Sequence, residues 1–156
     1  MMFKNNKEKI SFLIWFIVIY ALLLIISISL ISNHLMAIQE NIIRYLLMNS
    51  KINYENYIFT SYCSGIVSIA TFLSIILALE IITIRKNIKK KDKARKIKSI
   101  IIAIIILFLF NIIRLIIILL FGNISLGLSE IAHYLSWIVM GIVVLLLIRN
   151  YAKKNY

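Results

Sequence analysis

The sequence predicts an all-α integral membrane protein: a four-helix bundle with a short external helix at the membrane interface. Apolar residues make up 62% of the 156 positions, more than a soluble domain of this length can bury. The chain has no proline and only 4 glycines, which favours long uninterrupted helices. Its net charge of +12 would suggest nucleic-acid binding on a soluble surface, but the basic residues concentrate in blocks between apolar runs. We therefore expect membrane lipids around the chain and no nucleic acid.

Four apolar runs reach the roughly 20 residues that a bilayer core requires. They predict spans at about residues 10–31, 58–84, 100–121 and 131–148 of a single membrane domain, 1–156. The first run is too long for the core of a cleavable signal peptide and lacks a small-x-small cleavage site. We therefore expect a retained anchor.

The distribution of Lys and Arg predicts the orientation. Basic residues cluster in the N-terminal tail, between the second and third runs, and in the C-terminal tail. The two remaining connections, residues 32–57 and 122–130, are nearly neutral. Because cytoplasmic flanks are rich in Lys and Arg, both termini are expected in the cytoplasm and both neutral connections outside.

The longer external connection, residues 32–57, is predicted to contain a short helix. Its apolar residues recur at helical spacing, with polar residues between them: Leu35, Ile38, Ile42, Tyr45 and Leu46. That pattern is typical of a helix lying at the outer interface. A packed connector without a special role is the alternative interpretation.

Arg114 lies inside the third run, seven residues from its outer end, or roughly 10 Å at the helical rise. A charged side chain near the centre of a span costs about 2.5–3.5 kcal/mol on insertion scales, which marks it as a functional candidate. Asn111 lies one turn earlier on the same helical face. A polar clamp between helices is the alternative role for this pair.

Cys63, the only cysteine, lies five residues inside the second run. A single cysteine excludes an internal disulfide and a multi-cysteine metal site, and we expect neither a metal nor another cofactor. Most lone cysteines are small buried apolar side chains. The neighbours of Cys63 are small or hydroxylic, however, and allow close approach of a helix or a substrate backbone: Ser61, Ser64, Gly65, Ser68 and Thr71.

His133 lies near the outer start of the fourth run, with Glu130 three residues earlier, where the carboxylate could hold the second ring nitrogen. Trp137 continues the same helical face. Because successive spans alternate in direction, Cys63, Arg114 and His133 all fall in outer portions of their spans. Three reactive side chains at one depth predict a catalytic site.

Glu80 lies near the inner end of the second run, apart from these residues. Arg85 and Lys86 follow it closely, so we expect an ion pair at the inner interface with one of them. The basic segment 85–98 is interpreted as a solvated topology signal, and binding to anionic lipid is the alternative.

At these positions the sequence resembles the exosortase/archaeosortase family of membrane-embedded cysteine transpeptidases. The resemblance rests on Cys63-Ser64-Gly65-Ile66-Val67-Ser68, on Asn111-Ile112-Ile113-Arg114 and on His133, in the family's order. It covers roughly residues 57–141. Typical members have additional spans, so this chain resembles a short variant.

The resemblance implies that Cys63 is the nucleophile, Arg114 an essential cation and His133 the acid–base residue. It implies substrates that are secreted proteins with a C-terminal motif, a hydrophobic span and a basic tail, and an acceptor that is often a lipid. Ser64 and Asn111 are supporting candidates for hydrogen bonding around the site. A non-enzymatic membrane scaffold or assembly subunit is the alternative function.

Overall fold

The computed structural model describes residues 5–48, 65–85 and 93–155, and every secondary-structure element in these ranges is helical. Four helical stretches are long and apolar enough to cross a membrane: Asn6–Leu47, Ile66–Ile84, Lys93–Gly122 and Leu126–Lys154. The predicted all-α, multi-pass membrane protein is confirmed. The predicted second span, residues 58–84, is described only from Gly65 onward.

The first helical stretch consists of α1 (Asn6–Ile26), a π-helical segment (Ser27–Ile31) and α2 (Ser32–Leu47), joined without a break. The hydroxyls of Ser29 and Ser32 donate hydrogen bonds to the carbonyls of the preceding turn, at 2.8 and 2.7 Å. Such back-bonding and π-helical turns are associated with local bends in long helices. The predicted short helix therefore exists, but as an extension of the first span rather than as a separate element.

The helix α2 packs on the bundle through a different face from the apolar stripe noted in the sequence. Ile38, Tyr45 and Leu46 remain exposed. The buried side chains recur at helical spacing and include one amide: Ser32, Met36, Gln39, Ile43 and Leu47. The apolar ones among them join a core cluster with Ile112, Leu115 and Leu119 of the stretch Lys93–Gly122, which places α2 against that stretch.

The helices α3 (Ile66–Arg85), α4 (Lys93–Gly122) and α5 (Leu126–Asn155) form the centre of the molecule. A turn of three residues joins α4 to α5, so these two helices run antiparallel side by side. The main core lies between all three and is built from Phe72, Ile76, Ala103, Leu107, Met140, Val144 and Tyr151. The helix α1 packs along α3 with none of its residues buried.

The C-terminal end of α3, the N-terminal end of α4 and the C-terminal end of α5 meet at one ion pair. Nζ of Lys96 on α4 lies 2.8 Å from both carboxylate oxygens of Glu80 on α3. The hydroxyl of Tyr151 on α5 donates to the same carboxylate, also at 2.8 Å. Glu80 thus forms an ion pair with Lys96 on α4. Of the partners expected from the sequence, the Arg85 side chain and Lys86 lie outside the described residues.

Candidate functional site

Arg114 is the centre of a buried polar cluster between α4 and α5. The residue is 4% exposed, and its guanidinium forms contacts in three directions. Nε donates to Oγ of Ser136 at 3.1 Å, Nη1 donates to Oδ1 of Asn111 at 3.1 Å, and Nη2 lies 3.3 Å from Nδ1 of His133. These contacts hold the cation in one orientation, as a buried charge requires.

The local sequence explains why these side chains converge. Asn111 and Arg114 are three residues apart and share a face of α4, while His133 and Ser136 share a face of α5 in the same way. The antiparallel arrangement of the two helices brings both faces together at one level. The Ser136 hydroxyl also donates to the carbonyl of His133 at 2.7 Å, which leaves its oxygen oriented toward Arg114.

Trp137 covers this cluster. Its ring centroid lies 4.5 Å from Cζ of Arg114, a distance at which a guanidinium is attracted to the face of an indole. Its Nε1–H points at Nε2 of His133, with 3.1 Å between the two nitrogens. One tryptophan therefore contacts both the cation and the imidazole.

Asn111 connects the cluster to α2 and to the start of α3. Its Nδ2 donates to Oε1 of Gln39 at 3.1 Å, and both side chains are completely buried. Gly65 precedes α3 with φ +72°, and a Cβ at that position would lie 2.7 Å from Cγ of Asn111. The backbone at the start of α3 therefore lies directly against the amide that holds Arg114.

Of the predicted site residues, the structure brings Arg114, His133 and Asn111 together. Cys63 and Ser64 lie outside the described residues. The expected role of Glu130 is wrong: both ring nitrogens of His133 face other groups, the guanidinium and the indole, and the carboxylate lies on the exposed side of α5. Glu130 and His133 do line a common recess of about 280 Å³.

Three contributors were not predicted: Gln39, Ser136 and the contacts of Trp137. Gln39 lies in the stripe formed by Met36 and Ile43, and a polar residue at such a position could have indicated a buried partner. The spacing of Trp137 from His133 indicated a shared face but not a hydrogen bond. The site partner of Ser136 is Arg114, which lies on another helix, and no local pattern predicts that contact.

A groove of about 260 Å³ lies between α4 and α5. Arg114 and Ser136 are its polar lining residues, and the rest of its wall is apolar: Phe110, Ile113, Ile117, Phe121, Ala132, Leu135, Val139 and Met140. Arg114 thus lines the apolar groove, and His133 lines the recess that contains Glu130.

No protein-family model, curated protein or solved structure matches this chain. Within residues 5–48, 65–85 and 93–155, no group of three or more His, Cys, Asp or Glu side chains is placed to hold a metal ion. The described cluster places a fixed guanidinium beside an imidazole. Such a pair can stabilise developing negative charge and exchange a proton.

Proposed function

We propose that this chain is a membrane-embedded cysteine peptidase or transpeptidase, as its resemblance to the exosortase/archaeosortase family implies. Its substrates would be secreted proteins whose C-terminal motif, hydrophobic span and basic tail place the cleavage point at the outer membrane face. The new carboxyl end would pass to an acceptor such as a lipid. The observation that carries the proposal is the buried guanidinium of Arg114, held beside the His133 imidazole by Asn111 and Ser136.

The chain connectivity supports a role for Cys63 at this cluster. Cys63 precedes Gly65 by two residues, and Gly65 packs against Asn111, which itself binds Arg114. Two residues of fully extended chain span at most about 7 Å. A thiol tethered this closely to the cluster is a reasonable partner for the guanidinium and the imidazole.

In the proposed reaction the Cys63 sulfur attacks the carbonyl carbon of the scissile peptide, and the thiol proton passes to His133. Arg114 donates hydrogen bonds to the oxyanion that forms, and one such donor is worth about 3–4 kcal/mol in a water-poor site. When the C–N bond breaks, His133 returns the proton to the leaving amine. The resulting thioester is then opened by the acceptor or by water, which restores the thiol.

The position of Arg114 supports its part in this reaction. The three contacts of its guanidinium orient the charge before a substrate arrives, so little reorganisation is needed as negative charge develops. The apolar groove that Arg114 also lines suits the hydrophobic part of a substrate. The basic flanks of the spans support an outward-facing site with both termini in the cytoplasm.

A second function, a non-enzymatic scaffold or assembly subunit, is favoured by a different observation. The hydrogen bond from Asn111 joins α4 to α2, and the bonds from Arg114 join α4 to α5. A polar clamp of this kind stabilises a membrane bundle without any chemistry. The two functions differ in what they require of Cys63.

The test uses cells that express this chain together with a candidate substrate. The candidate is a secreted protein that is encoded next to the gene of this chain and has a C-terminal motif, a hydrophobic span and a basic tail. Mass spectrometry of the secreted protein measures the cleavage. We expect Cys63→Ser and Cys63→Ala to abolish processing and Ile142→Ala, at an exposed position of α5, to retain it. If both cysteine variants process the substrate as well as wild type, the enzyme proposal is wrong.

The reactivity of the thiol separates the two functions without a substrate. A membrane-impermeant maleimide is added to intact cells, and the label on this chain is measured after purification. Because the chain has one cysteine, that label reports on Cys63 alone. Rapid labelling from outside, slowed by His133→Gln, is the result expected of the enzyme. Labelling that His133→Gln leaves unchanged would favour the scaffold.

A further inference from the structure

A recess of about 380 Å³ lies along one face of α1, near the N-terminal end of that helix. The residues that line this α1 recess follow the spacing of three and four that places side chains on a single helical face: Lys7, Ile10, Ser11, Ile14 and Trp15. It is separate from the cluster around Arg114. Because α1 belongs to a stretch long and apolar enough to cross a membrane, and none of its residues is buried, lipid surrounds its exposed faces.

The lining of the α1 recess changes from charged to apolar along the helix. Lys7 comes first, Ser11 follows one turn later, and Ile14 and Trp15 lie a further turn along. From Lys7 to Trp15 the helix rises roughly 12 Å. The polar region of a bilayer occupies about 5–8 Å on each side of the hydrocarbon core. The α1 recess is therefore long enough to pass from the headgroups into the hydrocarbon, and its polarity falls along its length as that of a phospholipid does.

The two polar side chains of the α1 recess can both donate to a ligand. In the part of the chain that the structure describes, neither Nζ of Lys7 nor Oγ of Ser11 forms an ion pair or a hydrogen bond. Ser29 and Ser32, later in the same helical stretch, instead donate to carbonyls of their own helix. An ammonium group and a hydroxyl are donors that suit the oxygens of a phosphate ester.

The rest of the α1 recess is apolar. Ile10 and Ile14 are 58% and 56% exposed, and the indole of Trp15 completes the wall. Tryptophan is favoured at the membrane interface, where its ring contacts both headgroups and acyl chains. Glu8 is the one carboxylate among residues 5–15, and it does not line the α1 recess. A matching ligand has an anionic phosphate at one end and hydrocarbon at the other.

We propose that the α1 recess binds one anionic phospholipid from the leaflet in which α1 begins. Nζ of Lys7 and Oγ of Ser11 bind the phosphate oxygens. An acyl chain of the same lipid lies on Ile10, Ile14 and the indole of Trp15. The bound headgroup holds the start of the first span at a fixed depth in the membrane. This proposal does not depend on the function proposed above.

The first measurement uses Trp15 as a fluorescent reporter. The chain has two tryptophans, so Trp137→Phe leaves Trp15 as the only one. The purified full-length variant is placed in two sets of nanodiscs with the same mixture of phosphatidylglycerol and phosphatidylcholine. Bromine, which quenches indole fluorescence on contact, is carried by the acyl chains of the phosphatidylglycerol in one set. In the other set an equal amount of the phosphatidylcholine carries it.

We expect brominated phosphatidylglycerol to quench Trp15 more strongly than brominated phosphatidylcholine. The difference should correspond to an about 5-fold preference for the anionic lipid, the effect of one lysine beside an anionic headgroup. Equal quenching by the two lipids would refute the site.

Two lysine variants separate a defined site from general attraction between charges. Lys7→Gln should reduce the preference to near unity. Lys9→Gln removes the same charge two residues away, at an exposed position that does not line the α1 recess, and should keep most of the preference. Equal effects of the two substitutions would mean that the overall charge attracts the lipid and that the α1 recess is not a site. Ser11→Ala should weaken the preference, and a full preference in this variant would contradict binding of the phosphate by the hydroxyl.

Native mass spectrometry of the unsubstituted chain gives a second readout that needs no tryptophan substitution. After incubation with equal amounts of the two lipids, a phosphatidylglycerol adduct should form, persist in Lys9→Gln and be lost in Lys7→Gln. An adduct pattern that does not depend on Lys7 would overturn the proposal. Soluble glycerol 3-phosphate serves as the competitor. If it displaces the adduct, the α1 recess recognises a free phosphate ester and the assignment of a lipid is wrong.

Discussion

Asn111 donates a hydrogen bond to Gln39 across 72 positions of sequence, and both amides are completely buried. The same Asn111 accepts a hydrogen bond from Arg114 and packs against the backbone of Gly65. One small amide thus links α2, the start of α3 and the candidate site on α4. The geometry around the guanidinium depends on residues that take no part in the proposed chemistry.

Gln39→Leu should destabilise the protein, because it leaves the buried Nδ2 of Asn111 without this acceptor. Hydrogen bonds between membrane helices are worth about 0.6 kcal/mol on average, and an unsatisfied buried group costs about 1–3 kcal/mol. We expect the free energy of unfolding to fall by about 1–2 kcal/mol, measured by denaturant titration in detergent. Ile38→Leu, at the neighbouring exposed position, should have no effect. An unchanged Gln39→Leu protein would contradict the role of this bond.

Gly65→Ala should be damaging, because the left-handed conformation and the close contact with Asn111 both disfavour a Cβ. The conformation alone costs about 1–2 kcal/mol, and a Cβ 2.7 Å from Cγ forces one element to shift. We expect lower thermal stability and a shifted His133 NMR signal. Gly141→Ala is the matched control: a Cβ there meets nothing within 4 Å, and alanine in a helix interior should be neutral or stabilising. Equal effects of the two substitutions would contradict this account.

The helical bundle could be predicted because a bilayer imposes it: apolar runs of sufficient length leave the backbone few alternatives to helices. The charge of Arg114 within an apolar run, and its spacing from Asn111, could likewise be read from the sequence. The partners on other helices, Ser136 and Gln39, could not be predicted. Which side chains of α5 and α2 face the site depends on how each helix is rotated about its own axis, and hydropathy does not determine that rotation. Glu130 is the opposite case. Its spacing from His133 allowed a contact, but the guanidinium of Arg114 and the indole of Trp137 contact the two ring nitrogens.

The ion pair between Glu80 and Lys96 should behave as a buried pair. Its side chains are only 10% and 20% exposed, and removal of one partner from such a pair costs about 3–5 kcal/mol. Glu80→Gln should therefore lower the stability strongly. The double variant Glu80→Leu with Lys96→Met should restore much of it, because both charges are then gone. A double variant less stable than Glu80→Gln, in the same unfolding assay, would contradict this interpretation.

The orientation can be tested with cysteines placed in a Cys63→Ser chain. Ile124 is 71% exposed in the turn between α4 and α5, and Lys153 is exposed near the end of α5. Since the basic tail is expected in the cytoplasm, an impermeant maleimide should label Ile124→Cys on intact cells and Lys153→Cys only after permeabilisation. The reverse pattern would place the candidate site on the cytoplasmic side and would exclude the proposed secreted substrates.

Arg114→Lys probes the guanidinium most sharply, because it keeps the charge and removes the planar fork. A lysine cannot reproduce the separate bonds from Nε, Nη1 and Nη2 to Ser136, Asn111 and His133. If the fork orients a donor toward the oxyanion, turnover of a processed substrate should fall at least 100-fold, in line with the loss of one oxyanion donor. A clamp that needs only positive charge would tolerate lysine, with processing near the wild-type rate. Thermal unfolding of the same variant separates lost chemistry from lost folding: a folded, inactive Arg114→Lys protein supports catalysis.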